Sequence, residues 1–325
     1  MRAAQGARPP VAIIGAGIAG LSCATALSKA GFCVELFDKA RGPGGRMSTR
    51  RFDTPMGQAT ADHGAQYFTA RDPDFLEEVI GWALAGVASP WTDVAEDCWV
   101  GVPGMNAIIR HLASAQTVHW NCRIETISSV ADGWQLATSE GALGPYDAVV
   151  LAIPSDQALP FLAGNDFAMA RRAMLARFQP CWTALFAFDA PLDTQHAFVR
   201  DMGAIGWACR ERAKPQRHGP ETWVVQANAS WSSDHLETDA DTILTALRHE
   251  LSAALNTEVP VPIAQSSHRW RYAMSSGLGD GALWNPDLRL GTCGDWLLGP
   301  RIESGWLSGR MLATHILQGA VARVA

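Results

Sequence analysis

The sequence predicts an α/β fold in which a parallel-sheet domain is interrupted by an inserted α+β domain built on an antiparallel sheet. Three observations predict it. The apolar run Val11-Ala12-Ile13-Ile14 leads into Gly15-Ala16-Gly17-Ile18-Ala19-Gly20, a helical pattern over residues 21–30 and a second apolar run over 33–37. That order reads as strand, helix, strand. The continuous apolar run at 146–154 has the form of a parallel strand buried on both faces. Between about residues 155 and 272 the character changes to separate β-rich runs, and residues 288–318 then resume the first pattern as a strand and a helix.

In the first element each glycine answers a physical need. Gly15 permits a tight strand-to-helix turn, Gly17 lets backbone approach a pyrophosphate, and Gly20 lets helix and strand pack closely. The helix N-terminus then offers unpaired N–H groups and the positive end of its dipole to the phosphates. Asp38 ends the second run about twenty residues on, the distance at which an acid accepts hydrogen bonds from ribose hydroxyls and disfavours a 2′-phosphate. This is the Rossmann-type dinucleotide pattern. By itself it does not separate NAD from FAD, and the plainer reading is an ordinary βαβ unit with a glycine turn.

Further along, residues 62–68 read as a loop running into a short strand, and 74–85 as an amphipathic helix with apolar residues at 75, 76, 79, 80 and 84. A helix starts at Gly104 or Asn106. Residues 117–128 alternate like a strand, with a hairpin partner at 133–139. In the insertion, 167–178 is helix-like, the runs 182–188, 204–209 and 223–229 are strands, 241–255 is a strong helix, and 268–272 is a further strand. The expected division is 1–68, 99–155 and 275–325 for the dinucleotide domain, and 69–98 with 156–274 for the cap.

The bulk numbers bound the function. A chain of 325 residues with 48% hydrophobic and 18% charged content describes a globular protein long enough for two domains. A net charge of −6, with no long basic run, argues against nucleic acid as a partner. No stretch approaches the apolar length of a membrane span, and residues 1–10 are expected to be a short frayed tail. Seven scattered cysteines without a C-x-x-C pair exclude a thioredoxin-like motif and a zinc ribbon, and imply a reducing cytoplasm. The nine histidines include no H-x-H or H-E-x-x-H arrangement, so no metal site is expected.

Three features favour FAD. Gly44-Gly45-Arg46 sets a basic side chain just past the ribose acid, where it can neutralise phosphate charge. Gly294-Asp295 ends a strand, and the helix that follows has its N-terminus near Ser304-Gly305-Trp306, able to stabilise negative charge on a reduced flavin. No second G-x-G-x-x-G is present, since Gly277, Gly279 and Gly281 have the wrong spacing.

With the G-G-R-M stretch at Gly44, D-H-G-A-Q-Y-F from Asp62, H-R-W-R-Y-A from His268, and C-G-D-W followed by E-S-G-W-L-S-G, the chain resembles the bacterial renalase-like flavoproteins. These belong to the flavin amine oxidase and p-hydroxybenzoate hydroxylase-like superfamily. The resemblance runs along nearly the whole chain. It implies non-covalent FAD and oxidation of dihydronicotinamide isomers to NAD(P)⁺, with O2 reoxidising the flavin to give hydrogen peroxide. It places Gly15, Ala16, Gly17, Ile18, Ala19, Gly20, Asp38, Lys39, Gly45, Arg46, Met47, Ala65, Gln66, Ile124, Gly294, Asp295, Ser304, Gly305 and Trp306 at the cofactor. Tyr67 and Trp270 become aromatic walls of the substrate pocket. In one departure, Glu211 stands where the family commonly has Asn before Lys-Pro; a carboxylate lining the pocket would alter which substrates it tolerates.

Hydride transfer from an electron-rich dihydropyridine needs no general base, which suits a chain without a Ser/His/Asp or paired-carboxylate motif. Tyr67 and Trp270 can clamp a flat ring by stacking, although Trp270 also fits core packing in an alternating strand. His63 and His268 read as structural. Cys293, in an expected buried strand, should form no bond to the flavin. The rival reading is an amine oxidase, disfavoured because none of the three lysines is well placed: Lys29 ends a helix, Lys39 is beside the ribose site and Lys214 falls in a cap loop. A flavin-binding module without turnover is a third reading. Partners are a nicotinamide nucleotide and O2, with no nucleic acid or membrane, and the sequence leaves the oligomeric state open.

Overall fold

The structure is a computed structural model that describes residues 10–321. Its contacts divide the chain into two compact units: residues up to 45 with 109–177 and 276 onward, and residues 46–108 with 178–275. Each is an independent layer architecture of the predicted class: the first a mostly parallel sheet with helices, the second an antiparallel sheet with its own core.

The first unit holds a six-stranded sheet among the described residues. Its order is Leu283–Asn285, Leu290–Thr292, Ala148–Leu151, Val11–Ile14, Val34–Phe37 and Thr117–His119. The run expected to be a doubly buried strand lies at its centre: Ala148–Leu151 pairs in parallel with Val11–Ile14 on one side and with Leu290–Thr292 on the other, and every residue of it is buried. The last helix, Ile302–Val321, crosses the first, Ile18–Lys29, closely enough that a Cβ on Gly309 would lie 2.2 Å from the carbonyl oxygen of Ala19. Only a residue without a side chain permits that approach.

Two expectations here are corrected. Residues 117–128 do not form one strand. Thr117–His119 joins the parallel sheet and Thr126–Val130 joins a three-stranded antiparallel sheet. Asn121, at φ +56°, turns the chain between them, and the N–H groups of Asn121 and Cys122 donate to the carbonyls of Ala40 and Asp38. The helix expected over 167–178 stops at Ala173, because Phe178 is already paired in the second unit's sheet opposite Ser275. Sheet pairing overrides helical periodicity there.

The second unit is built on five antiparallel strands in the order Phe198–Met202, Ile205–Arg210, Glu221–Ala227, Phe178–Phe188 and Ala264–Ser275. Strand alternation sorts its two faces. Trp182, Ala184, Phe186, Phe188, Trp223 and Val225 point to one face, where they pack with Ile243, Leu247 and Leu251 of the helix Ala240–Leu255. Leu185 and Val224 point to the other, against Ala61 and Phe52 of the hairpin Thr49–Thr54/Gly57–Asp62. That hairpin escaped the sequence reading, since Thr49–Thr54 carries Arg50, Arg51 and Asp53 in place of an apolar alternation.

Candidate functional site

The first unit carries a backbone cradle. Gly15 follows the strand Val11–Ile14 at φ +106°, and a Cβ there would lie 2.5 Å from the carbonyl oxygen of Ala152. A Cβ on Gly20 would lie 2.0 Å from the carbonyl oxygen of Gly15. Around Gly17, by contrast, a Cβ would meet nothing within 4 Å. Gly17 caps the helix Ile18–Lys29 with no side-chain acceptor, and no acid stands in the first turn, where Ile18, Ala19 and Gly20 lie. The helix therefore presents uncapped N–H groups to an open space, the arrangement an anion needs.

At the end of the adjacent strand, Asp38 is fixed by backbone: Oδ2 accepts from the N–H of Ala16 at 2.9 Å and Oδ1 from that of Ala40 at 2.8 Å. Its remaining lone pairs are free for ribose hydroxyls. Lys39 reaches Gln157 Oε1 at 2.9 Å. These residues fit an adenine dinucleotide by shape and by donor placement.

The other residues expected at the cofactor fall as follows. Ile124 is buried in the turn between Thr117–His119 and Thr126–Val130. Gly294 and Asp295 follow the strand Leu290–Thr292; Asp295 is buried, and the N–H of Gly294 donates to Ser308 Oγ at 2.9 Å. Ser304, Gly305 and Trp306 lie in the opening turns of Ile302–Val321, which starts one residue before the helix expected from Glu303 to Gln318. Gly305 stands close to Ile18, and the Trp306 carbonyl accepts from Ser22 Oγ at 2.7 Å, so both also serve the crossing of the two helices. Gly45, at φ +55°, opens the 3-10 turn Gly45–Met47, in which Met47 is buried.

The second unit gathers the rest of its candidates on the loop 62–67 and on elements packed against it. The carbonyl of Arg46 accepts the N–H of Ala65 at 2.8 Å, and a Cβ on Gly64 would sit 2.1 Å from that same oxygen, so Gly64 keeps the two segments in contact. Gln66 is buried, its Nε2 donating to the carbonyls of Asp62 and Gly64, while Gln226 also donates to Gly64 O at 2.7 Å. Tyr67 packs on Trp207 with ring centroids 5.1 Å apart. Trp270 donates its indole N–H to the carbonyl of His63 at 2.8 Å and lies 4.3 Å from the ring of His268 and 5.2 Å from that of His63. Burial, the charge of nearby Arg50 and, for His63, the neighbouring His268 depress both histidines, His63 to about 4.

Beneath this loop lies a buried ionic cluster that the sequence reading missed. Lys214, expected in a cap loop, is fully buried. Its ammonium donates to Glu211 Oε1 at 2.6 Å, to Gln66 Oε1 at 3.0 Å and to Asp62 Oδ2 at 3.2 Å. Arg217 adds an ion pair to Asp62 at 2.6 Å and approaches Glu211 Oε2 at 3.4 Å. Burial would raise the Asp62 carboxyl, but Lys214, Arg217, the Thr49 hydroxyl and the Met105 N–H hold it well below the usual carboxylate range. Glu211 is raised, because burial outweighs its two cationic neighbours. Lys214 is pushed up and stays an ammonium: burial would lower it, but the surrounding Cys209, Glu211 and Asp62 overcome that. The one signal in the sequence was the i, i+3 spacing of Glu211 and Lys214 within E-R-A-K.

Comparison with known proteins accords with this architecture. Residues 13–79 match the NAD(P)-binding Rossmann-like domain family, and residues 91–317 match the flavin containing amine oxidoreductase family. Among solved structures, the chain is similar to an engineered triple mutant of putrescine oxidase, with 13% identity, 96% of this chain and 99% of that chain covered, and a TM-score of 0.74. It is also similar to cyclohexylamine oxidase from Brevibacterium oxydans IH-35A, with 14% identity, 96% and 99% coverage and a TM-score of 0.71. An oxidoreductase from Methanosarcina mazei gives 14% identity, 94% and 100% coverage and a TM-score of 0.64. At such identities the likeness of structures shows the fold alone.

Proposed function

We propose a function for this chain from the family to which it belongs, the flavin containing amine oxidoreductases. It is an FAD-dependent oxidoreductase. Within that class, the reading supported best is a renalase-like oxidase of reduced nicotinamide isomers, converting a dihydro-NAD(P) isomer, O2 and a proton to NAD(P)⁺ and hydrogen peroxide. When bound, FAD supplies the acceptor for the hydride equivalent.

The observation that carries this reading is that, among the described residues, no ready proton acceptor stands around residues 62–67. Asp62 is ion-paired twice, Lys214 spends its three N–H groups on three acceptors, Glu211 faces Lys214 and Arg217, and His63 is neutral and weakly basic. A protonated amine must lose a proton before it is oxidised, whereas a dihydropyridine is already electron-rich and needs none removed. What remains for the protein is to hold a flat ring, and Tyr67 and Trp270 offer aromatic faces for that. In this reading the cradle from Gly15 to Gly20, with Asp38, binds the adenine dinucleotide. Gln66 keeps its amide oriented for the flavin, and Glu211 acts as a buried counter-ion in place of a group touching substrate.

Amine oxidation is the second reading, favoured by the family's own description. Anaerobic mixing separates the two. Loss of the yellow flavin band on adding 2- or 6-dihydro-NAD(P) supports the first reading, loss on adding small primary amines supports the second, and no bleaching by either indicates a binding module. We also expect non-covalent FAD. Cys293 is fully buried at the end of Leu290–Thr292, and burial keeps its thiol protonated. Acid precipitation should therefore release all colour to the supernatant, and colour left in the pellet would refute it.

A further inference from the structure

The hairpin of Phe198–Met202 and Ile205–Arg210 builds an aromatic shelf with a cation on it. Side chains alternate along a strand, so Phe198 and Arg200 share a face, and the register puts Trp207 directly opposite Arg200. Phe198 and Trp207 stack with centroids 5.2 Å apart and ring planes 10° from parallel, and Tyr67 meets Trp207 from the loop. The guanidinium of Arg200 lies 4.8 Å from the Trp207 centroid, 5.4 Å from that of Phe198 and 5.7 Å from that of Tyr67. Three rings thus hold one flat cation in place.

Several arginines of the same unit are held in ion pairs. Arg71 pairs with Asp97, Arg210 with Glu221, Arg217 with Asp62, and Arg269 and Arg271 with Glu237. Arg200 is exposed and has no carboxylate or carbonyl partner among the described residues. Trp91 packs edge-on against Trp207 from beneath, with centroids 6.2 Å apart, and fixes its ring. A guanidinium held by rings loses little freedom when it binds, and its fork matches phosphate oxygens. The same cation repels a protonated amine that approaches these rings.

We propose that Arg200, on the Tyr67–Phe198–Trp207 shelf, is the specificity-determining residue that selects a phosphate-bearing substrate over a neutral or cationic one. This deepens the nicotinamide-nucleotide reading of the same site and rests on it.

The test uses the FAD-loaded protein and three dihydronicotinamide substrates: the riboside, which has no phosphate, and the phosphate-bearing mononucleotide and dinucleotide. Changing Arg200→Met should lower the ratio of kcat/KM for dinucleotide over riboside about tenfold, with Arg200→Lys retaining part of it. Added NaCl should erode the ratio in the unmodified protein and leave it nearly flat in Arg200→Met. A ratio unchanged or raised by Arg200→Met overturns the proposal, and because it is a ratio, general damage to the enzyme cancels. A second measurement does not depend on turnover. Inorganic pyrophosphate, titrated by tryptophan fluorescence, should bind about tenfold more weakly to Arg200→Met than to the unmodified protein. If no dihydronicotinamide reduces the flavin, the function proposed above fails, while the pyrophosphate titration still decides Arg200; equal binding to both proteins would refute its role.

Discussion

The dinucleotide cradle of the first unit and the ionic cluster of the second are built on opposite physical terms. The cradle is almost uncharged. Its parts are glycines at Gly15, Gly17 and Gly20, the uncapped end of a helix and one carboxylate, Asp38, held by two backbone N–H groups. The cluster instead buries four ionisable side chains, Asp62, Glu211, Lys214 and Arg217, and pairs their opposite charges. The cradle's geometry comes from neighbours in sequence, and its tolerance is set by space. The cluster's comes from residues up to 155 positions apart, and its tolerance is set by charge balance. The contrast teaches where each unit will break: the first when an atom is added, the second when a charge is removed.

The largest expected effect follows from the second half of that contrast. Lys214→Met leaves Asp62 and Glu211 with Arg217 alone, and breaking a buried ion pair typically costs about 3–5 kcal/mol. Chemical denaturation at saturating FAD should show this loss, and pairing the change with Glu211→Met should recover part of it. A loss under 1 kcal/mol, as for a surface pair, would mean the cluster is not the charge-balanced unit described.

Next comes the cradle. Gly20→Ala puts a methyl against the Gly15 carbonyl, and overpacking of this kind costs about 1–3 kcal/mol. The same change should weaken FAD retention on dilution or gel filtration, whereas Gly31→Ala, in open space though at φ +85°, should lower stability without releasing FAD. Equal FAD loss in both variants would refute the steric account.

Acid exposes a third difference. His63 is held neutral, with its pKa lowered from 6.5 to about 4. Between those values the unfolded chain binds more protons than the folded one, so stability is full above the unfolded pKa and is lost as pH falls toward 4. For His63 the loss should be roughly 3 kcal/mol, and His63→Gln should flatten the pH dependence of the denaturation midpoint in that window. Asp239→Ala is the smallest test. It removes the side chain that caps Ala240–Leu255 and should cost about 1 kcal/mol without altering FAD binding or pH dependence.

Much of the first unit was legible in the sequence. Val11 to Gly20 and Asp38 stand where their spacing put them, because tight turns, close approach and helix termini are constraints on a few consecutive residues. The doubly buried strand Ala148–Leu151 was equally clear from its apolar run. The 117–128 strand was misread for the complementary reason. Its alternation is genuine, but the two halves serve different sheets, and only the partner strands decide where a strand ends.

In the second unit the sequence pointed to the right loop and to the wrong role for a residue under it. Asp62, Gln66 and Tyr67 stood out within D-H-G-A-Q-Y-F, yet Lys214 read as a surface lysine because nearly all lysines are exposed. Its burial is visible only once Asp62, Gln66 and Glu211 converge on it. The shelf around Arg200 was hidden in the same way, since F-V-R and W-A-C-R are ordinary strand fragments until a hairpin sets Trp207 opposite Arg200.

By itself, then, the sequence determined the α/β class, the glycine turn and the acid that suit an adenine dinucleotide, and the antiparallel insertion. All of these depend on local geometry or on periodicity along the chain. Tertiary structure alone decided which charges are buried together and which rings Arg200 rests on. Those facts depend on distances between residues far apart in sequence, and in a low-dielectric interior such distances set whether a charge is neutralised, paired or left free for a ligand.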